Sequence, residues 1–318
     1  MDRFRQDLRV ALRGLWRDRA FSVTTIATLA LCLGANIAIF AVVDGVLLKP
    51  LPFDESDRLV AIYNQYPGAG VEISANGVPD YYDRLEALTA LDGLAMYRQT
   101  GLTLGGDRGA PERLIGLIVT PSFFRVLRVS PLRGRLFTDE ESEVGRDETL
   151  VLTYGFWQRS LGGRDDAVGQ SLRVNGVAMT IVGILPPGFR FVDPDIELLR
   201  PVAFSPQERS DDRRHSNDWQ QVGRLKPGAS IQQVSSQLEA LNAANDQRFP
   251  NLREVLRNAR FATMAVPFHV FVVGDIGRTI SLLWGGVAFV LIIGCVNVAN
   301  LVTIAMGALQ GRNHRLDS

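Results

Sequence analysis

The residues best suited to bind a metal ion lie in one short stretch, SDDRRHSND, where His215 has Asp211, Asp212 and Asp218 close by in sequence. Carboxylate and imidazole groups are common metal ligands. Two arginines share the stretch, however, and mixed charge in a short segment is more typical of a solvated loop. Neither an HExxH motif nor a Cys/His cluster accompanies the three histidines. We therefore expect no metal site and no cofactor in this chain.

Catalytic motifs are also missing from the sequence. Walker-type ATP hydrolysis needs a GxxxxGKS/T loop, and the chain has none. No serine lies in a GxSxG elbow, and no nucleophile is paired with a base. We predict that the chain is not an enzyme. A group of aromatic residues could line a ligand groove, although core packing is their more common role: Phe123, Phe124, Phe156, Trp157, Phe189 and Phe191.

The composition points to lipid rather than to nucleic acid. The chain has 34 basic and 34 acidic side chains, so its net charge is +0 and no nucleic-acid partner is predicted. Hydrophobic residues make up 46% of it, and the mean hydropathy is +0.07. Because these values are high for a purely soluble protein, we expect part of the chain to lie in a membrane.

The elements that would place the chain in the membrane begin with the uncharged stretch from Phe21 to Val43. About 23 residues form a helix of roughly 35 Å, which is long enough to cross the hydrocarbon core. A cleaved signal peptide is the rival interpretation, but the apolar core is too long and no small-x-small cleavage site follows it. We predict a transmembrane helix at residues 21–48, ended by Pro50 and Pro52.

Residues 1–20 have the pattern of an amphipathic helix. Apolar residues recur at helical spacing, and Arg5, Arg9 and Arg13 lie mostly on the other faces. A calmodulin-type target and a solvated helix have the same pattern, but continuity with a membrane span favours a helix in the membrane surface. The excess of arginine places this end of the chain on the cytoplasmic side.

A second uncharged stretch follows Arg278 and continues to Arg312. It predicts a second transmembrane helix at residues 279–307 and a cytoplasmic tail at residues 308–318. Both termini are then cytoplasmic, and about 230 residues between the spans lie outside the cytoplasm.

Both predicted spans carry small and amide residues on one face. Such faces suit close packing against another helix, because hydrocarbon offers a polar amide no other partner. For Asn36 two partners remain open, namely a neighbouring helix and a carbonyl of its own backbone. The candidate packing residues are Gly34, Asn36, Gly285, Gly286, Asn297 and Asn300.

The sequence of the segment between the spans, residues 50–277, predicts a folded α+β domain. The stretch Arg58–Tyr63 predicts a strand, and Val78–Ala90 predicts a helix with Tyr81, Leu85 and Leu88 on one face. Asn175-Gly176 lies between two apolar runs and predicts a tight hairpin turn. A long helix with an apolar face follows at residues 230–249, and residues about 129–212 form an insertion that is richer in turns.

Several stretches of the chain are specific in combination, and together they cover nearly its whole length. They are DLRVALRGLWRDRAFSVTTIATLALCLGANIAIFAVVDGVLLKPLPF, DRLVAIY, VTPSFFRVLRVSPLRGRLF, TYGFWQRSLGG, VNGVAMTIVGILPPGF, GRLKPGAS and GCVNVANL. Together they resemble the MacB/FtsX-like ABC transporter permeases, especially the bacterial duplicated orphan permease type.

The resemblance implies a MacB-like periplasmic core domain between two transmembrane α-helices, in which a porter-like subdomain is interrupted by a smaller one. It also implies a bacterial inner-membrane protein that works with a separate or fused ABC-type ATPase, as a permease dimer or with a complementary permease chain. The ATPase cycle would move the outer domain to export or release a substrate. The residues that would face the ATPase are Arg5, Arg9, Arg13 and Trp16.

The sequence departs from the family pattern after GCVNVANL. Family members continue with a basic cytoplasmic stretch and at least two more spans, whereas MGALQGRNHRLDS ends this sequence. This predicts a truncated or split permease that either needs a partner chain or is inactive. The alternative function is a two-span membrane-anchored sensor or binding module without transport activity.

Overall fold

The computed structural model of the chain describes residues 19–43, 51–105, 111–274, 282, 284–296 and 299. The chain divides into two compact units. Met1–Lys49 and Val273–Ser318 form one, here called the helical unit, and Pro50–Val272 form the other, here called the sheet domain.

The helical unit contains α1 (Arg19–Val43) and a second helical stretch at residues 284–296. They approach closely at one point, where the Cys32 Sγ lies 4.0 Å from the carbonyl oxygen of Val290. A Cβ atom on Gly294 would come within 2.6 Å of the same sulfur, so only glycine fits there without a shift. Within the described part of the chain, no helix combines the length and the apolar character that a membrane crossing requires. The two spans stay predictions.

Eleven strands among the described residues form one sheet in the sheet domain. Its main order is β11-β1-β10-β3-β4-β9-β6-β8-β5, with β2 paired to β1 and β7 paired to β3 and β8. The strands are β1 (Leu59–Tyr66), β2 (Val71–Ser74), β3 (Leu91–Leu104), β4 (Glu112–Val119), β5 (Arg133–Gly134), β6 (Thr149–Leu152), β7 (Ser171–Val174), β8 (Val177–Ile184), β9 (Ile196–Pro201), β10 (Gln220–Leu225) and β11 (Ala262–Pro267).

Among the described residues, five helices with defined ends pack on or beside this sheet. They are α2 (Val78–Ala87), α3 (Ser122–Leu127), α4 (Tyr154–Leu161), α5 (Ile231–Arg248) and α6 (Arg253–Asn258). Residues 268–274, directly after β11, are also helical.

Part of the sheet has the βαββαβ arrangement of a ferredoxin-like unit. Helix α2 connects β1 to β3 and helix α5 connects β10 to β11, and these four strands pair antiparallel in the order β11-β1-β10-β3. Strands β5 to β9 lie in residues 133–201 and join the same sheet through the parallel pair of β4 and β9. The chain therefore has the predicted α+β fold.

Both faces of the ferredoxin-like strands are buried, because successive side chains of a strand point to opposite faces. On β1, Val60 and Ile62 pack in the cluster that includes helices α2 and α5, while Leu59 and Ala61 pack in the cluster that includes helix α3. The first four residues of β1 are thus all buried, in a continuous run without alternation.

The hairpin prediction is confirmed, since Asn175 and Gly176 join β7 to β8 with φ angles of 51° and 82°. The left-handed backbone at both positions is what a two-residue hairpin turn requires. The apolar face predicted for α2 is only partly buried, with Tyr81 and Leu88 inside the domain. Leu85 of α2 is 46% exposed, and the polar residues Asp80 and Arg84 are buried in its place.

Candidate functional site

The two ends of the sheet domain meet in one group of rings, which we call the aromatic junction: Phe53, Tyr97, Phe123, Phe191 and Phe268. Phe53 lies in the segment that leads in from α1, and Phe268 directly follows β11. Both are buried, so the first and last segments of the domain share a single core cluster.

Phe191 is the ring that connects the other members of the aromatic junction. Its ring centroid lies 4.8 Å from Phe123, 4.9 Å from Tyr97, 5.6 Å from Phe268 and 6.2 Å from Phe53. Offset and edge-to-face pairs at these distances each contribute roughly 0.5–1.5 kcal/mol beyond the burial of area. The loop between β8 and β9 therefore contacts both ends of the domain through one side chain.

The local sequence explains why Phe191 reaches this position. Pro186 and Pro187 end strand β8 because proline has no N–H to donate to a neighbouring strand. The N–H of Phe189 then donates to the carbonyl of Pro186 at 3.0 Å, which closes a turn that directs the chain back over the core. The predicted core role is confirmed for five of the six aromatic residues, which are buried, and Phe189 is partly buried.

The segment before β1 is also held by a buried arginine. Arg224 on β10 donates from Nε to the carbonyl of Val126 at 2.6 Å, and from its two terminal nitrogens to the carbonyls of Glu55 and Asp54 at 2.9 and 3.0 Å. Burial lowers the pKa of Arg224 from its usual value. One guanidinium thus joins the end of α3 to the segment that leads in from α1.

Two further arginines hold the same segment. Arg58 donates from Nε to the carbonyl of Leu225 at 2.9 Å and is paired with Glu55. Arg128 lies 2.6 Å from a carboxylate oxygen of Glu55. We call Arg58, Arg128 and Arg224 the arginine clasp, and it fixes residues 54–58 to β10 and to the end of α3.

Replacing Arg224 by leucine is expected to loosen this segment. Three carbonyl groups would lose the Arg224 donor, although that of Glu55 keeps the Arg58 N–H, so we expect the free energy of unfolding to fall by roughly 2–4 kcal/mol. Hydrogen exchange of residues 54–58 in the full chain would report the local effect. The matched control is Arg125→Leu, because Arg125 forms an exposed pair with Asp139 at 3.0 Å and should cost less than about 1 kcal/mol. Equal exchange rates in the two variants would contradict the clasp.

A second buried arginine fastens α2 to the sheet. Arg84 donates to the side-chain oxygens of Asn76 at 2.5 Å, Gln221 at 2.8 Å and Asn64 at 2.8 Å, and more weakly to Thr263 at 3.4 Å. None of these partners is a carboxylate. Burial lowers the pKa of Arg84, partly offset by the charge of Asp80. The guanidinium therefore connects α2 with β1, β10 and β11.

Sequence reasoning missed this network, although a signal for it existed. Arg84 stands three residues after Tyr81, on the same helical face as that buried ring. Asn64 continues the alternation of Val60 and Ile62, which places it on the strand face that packs against the helices. The signal is a basic residue on an apolar helical face, combined with an amide side chain on the strand face that packs against that helix.

The histidine that the sequence offered as a metal ligand has a different role. Nδ1 of His215 lies 3.0 Å from the hydroxyl of Tyr66, which also donates to Asn217 at 3.2 Å. Asp211 is paired with Arg214 at 2.6 Å, and Asp218 is paired with Arg213 at 3.2 Å. Among the described residues, no three His, Cys, Asp or Glu side chains are grouped to hold a metal.

His215 should make stability depend on pH. Burial lowers its pKa below the usual 6.5, with the charge of Asp80 opposing this. As the pH falls below about 6.5 the unfolded state binds the proton first, so the folded state loses stability until the folded-state pKa is passed. We expect His215→Gln to reduce the loss of thermal stability between about pH 7.5 and about pH 5. The control His269→Gln should keep the full loss, and identical pH profiles for the two variants would contradict this role.

The predicted packing residues lie partly within the described chain. Asn36 donates to the carbonyl of Cys32 at 2.9 Å. Of the two partners that the sequence left open, the structure therefore shows the backbone carbonyl of the same helix. A Cβ atom on Gly34, Gly285 or Gly286 would meet nothing within 4 Å. Packing of these glycines against another helix stays a prediction. The remaining candidates lie outside the described residues: Asn297, Asn300, Arg5, Arg9, Arg13 and Trp16.

The domain defined by this fold is of a known class. The profile of the MacB-like periplasmic core domain matches residues 22–241, which is more than half of the chain. The chain therefore belongs to the family of MacB-like periplasmic core domains, and with it to the MacB/FtsX-like permeases. A search of curated proteins gave no match.

Three solved structures are similar to this chain. A domain of a permease protein from Porphyromonas gingivalis is 17% identical, with a TM-score of 0.49 over 68% of this chain and 92% of that one. The extracellular domain of the ABC-type transporter YknZ from Gram-positive bacteria is 12% identical, with a TM-score of 0.44 over 59% and 94%. The periplasmic region of MacB from Actinobacillus actinomycetemcomitans is 13% identical, with a TM-score of 0.43 over 72% and 94%. The family assignment rests on the profile match.

Proposed function

We propose that this chain is a permease component of a MacB/FtsX-type ABC transporter. Residues 21–48 and 279–307 cross the bacterial inner membrane, and they carry the movement of a separate ATPase to the sheet domain. That movement exports or releases a substrate. The chain itself has no catalytic activity in this proposal, and it acts as a dimer or with a complementary permease chain.

The observation that carries the proposal is the aromatic junction. A displacement of either membrane-flanking segment reaches the same group of rings, because Phe53 and Phe268 both pack in the cluster around Phe191. The arginine clasp fixes the first segment to β10, and β11 pairs with β1 directly before Phe268. Both ends of the sheet domain are therefore held in one core, so a displacement of either end would move the domain as a whole.

The exposed surface of the helical unit supports the membrane part of the proposal. Large apolar side chains on α1 are between 53% and 75% exposed. Bilayer lipid is the environment in which such a surface is stable. The residues are Val23, Ile26, Leu31, Leu33, Ile37 and Phe40 on α1, with Trp284, Phe289 and Ile292 on the second helical stretch.

The test is to co-express the full chain with the ABC-type ATPase encoded nearest to it and to purify the chain from membranes. We expect the ATPase to co-purify in fixed proportion. Replacing Arg5, Arg9 and Arg13 together by glutamine should remove the ATPase from the complex. The matched control Arg312→Gln should retain it. A chain that stays monomeric in detergent and captures no ATPase would contradict the proposal.

A further inference from the structure

A cavity of about 330 Å³ lies on the sheet domain, away from the aromatic junction. It is lined by α5, α6, the segment that joins them, Asp80 of α2, and Arg214 with His215. One wall is apolar and consists of Phe249, Leu252, Leu256 and Phe261. Its volume is at the small end of the range for ligand pockets, which suits a molecule with one ring or a short alkyl chain.

Two buried charged residues form another part of the wall. Asp80 is 6% exposed and Arg214 is 3% exposed, and Nη1 of Arg214 lies 3.0 Å from Oδ1 of Asp80. Arg214 also pairs with Asp83 at 2.6 Å and with Asp211 at 2.6 Å, and it lies over the ring of Phe249 at 4.6 Å. These contacts hold the pair rigidly against the cavity.

Each member of this pair has one hydrogen-bonding atom left over. Among the described residues, Oδ2 of Asp80 has no donor and Nε of Arg214 has no acceptor, although both atoms are buried. A buried polar atom without a partner costs roughly 1–3 kcal/mol. A hydroxyl group can donate to the carboxylate and accept from the guanidinium, so one hydroxyl has the complementary chemistry for both.

The opening of the cavity carries an excess of positive charge. Arg257 and Arg260 line it, both are exposed, and neither forms an ion pair within the described chain. The carboxylate of Asp246 on the same lining is already paired with Arg253 at 3.0 Å. Two free guanidinium groups beside an apolar wall favour a ligand with an anionic end.

We propose that this cavity binds a small amphiphilic anion. The apolar body rests against Phe249, Leu252, Leu256 and Phe261, a hydroxyl group at the inner end contacts Asp80 and Arg214, and a carboxylate at the outer end pairs with Arg257 and Arg260. The site is separate from the aromatic junction and the arginine clasp, and it does not depend on the proposed function.

The test uses para-hydroxyphenylpropionate, which has a phenolic hydroxyl at one end of a ring and a carboxylate at the other. Its binding to the full chain in lipid nanodiscs is measured by calorimetry beside two related probes. Phenylpropionate lacks the hydroxyl group, and tyramine has an ammonium group in place of the carboxylate. We expect saturable binding of the first probe, at least about tenfold tighter than that of either relative. Equal affinity for all three probes, or no saturable binding, would overturn the proposal.

Variants of the chain test whether the probe binds in this cavity. R257Q/R260Q should weaken binding of para-hydroxyphenylpropionate about tenfold while leaving phenylpropanol, an uncharged probe, unaffected. Leu252→Trp should fill the cavity and abolish binding without touching the buried ion pair. The control Arg146→Gln changes an exposed arginine on a distant loop, and it should bind as the unchanged chain does. Full binding by a folded Leu252→Trp chain would locate the probe elsewhere and refute the site.

Discussion

Replacing Arg84 by alanine is expected to lower the free energy of unfolding of the sheet domain by roughly 3–5 kcal/mol. The change removes one donor from each of four buried side-chain oxygens on β1, β10, β11 and the segment before α2. It also leaves a cavity under α2 where the arginine side chain beyond Cβ was buried. Denaturant unfolding of the full chain, followed through the fluorescence of the buried Trp157 and Trp219, measures the loss.

The matched control is the neighbouring residue. Leu85→Ala changes an exposed side chain on the same helix, so we expect a loss of less than about 1 kcal/mol. Arg84→Lys should fall between the two, because an ammonium group cannot reproduce the planar fork of donors. If Leu85→Ala cost more than Arg84→Ala, the assignment of this buried network would be wrong.

Replacing Phe191 by alanine should have the second large effect. Truncation of a buried phenylalanine costs roughly 3–5 kcal/mol, and Phe191 is 7% exposed with four ring partners. Under the proposed function the variant should also fail to transmit the movement of the ATPase to the sheet domain, because the ring joins both ends of the domain. The measurement is the ATP-dependent movement of the sheet domain in the assembled transporter, at a temperature where the variant remains folded.

Phe156→Ala separates the two effects. Phe156 is as deeply buried, but it packs in the cluster that includes β6, β7 and β8 and does not contact either end of the domain. We expect a similar loss of stability with coupling retained. Equal coupling in the two variants would remove the special role of the aromatic junction.

The parts of the fold that depend on local rules could be predicted from the sequence. Asn175-Gly176 specified its hairpin because both residues tolerate positive φ, and Val234 and Leu238 of α5 are buried as their helical spacing indicated. Strand β9 was missed, since a short apolar run such as IELLRP has no clear period and pairs only with distant strands. The face of α2 was assigned by hydrophobicity. That rule fails here because Arg84 is buried with neutral hydrogen-bond partners on three strands.

The functional site was less predictable for a related reason. The role of Phe191 depends on contacts with Phe53 and Phe268, which lie 138 and 77 residues away along the chain. The pairing of Asp80 with Arg214 likewise joins distant segments. Spacing along the chain carries no information about such contacts, whereas the resemblance in VTPSFFRVLRVSPLRGRLF and its companion stretches identified the family correctly.

The most direct test of the coupling proposal is a distance between sheet domains in the assembled transporter. A single spin label is attached at Ser236→Cys, an exposed position on α5, in a chain whose Cys32 and Cys295 have been replaced. The distance between labels on two copies is then measured with and without trapped ATP. We predict a nucleotide-dependent change that persists in Phe156→Ala and disappears in Phe191→Ala. A distance that stays constant while the bound ATPase hydrolyses ATP would contradict the transmission of movement to this domain.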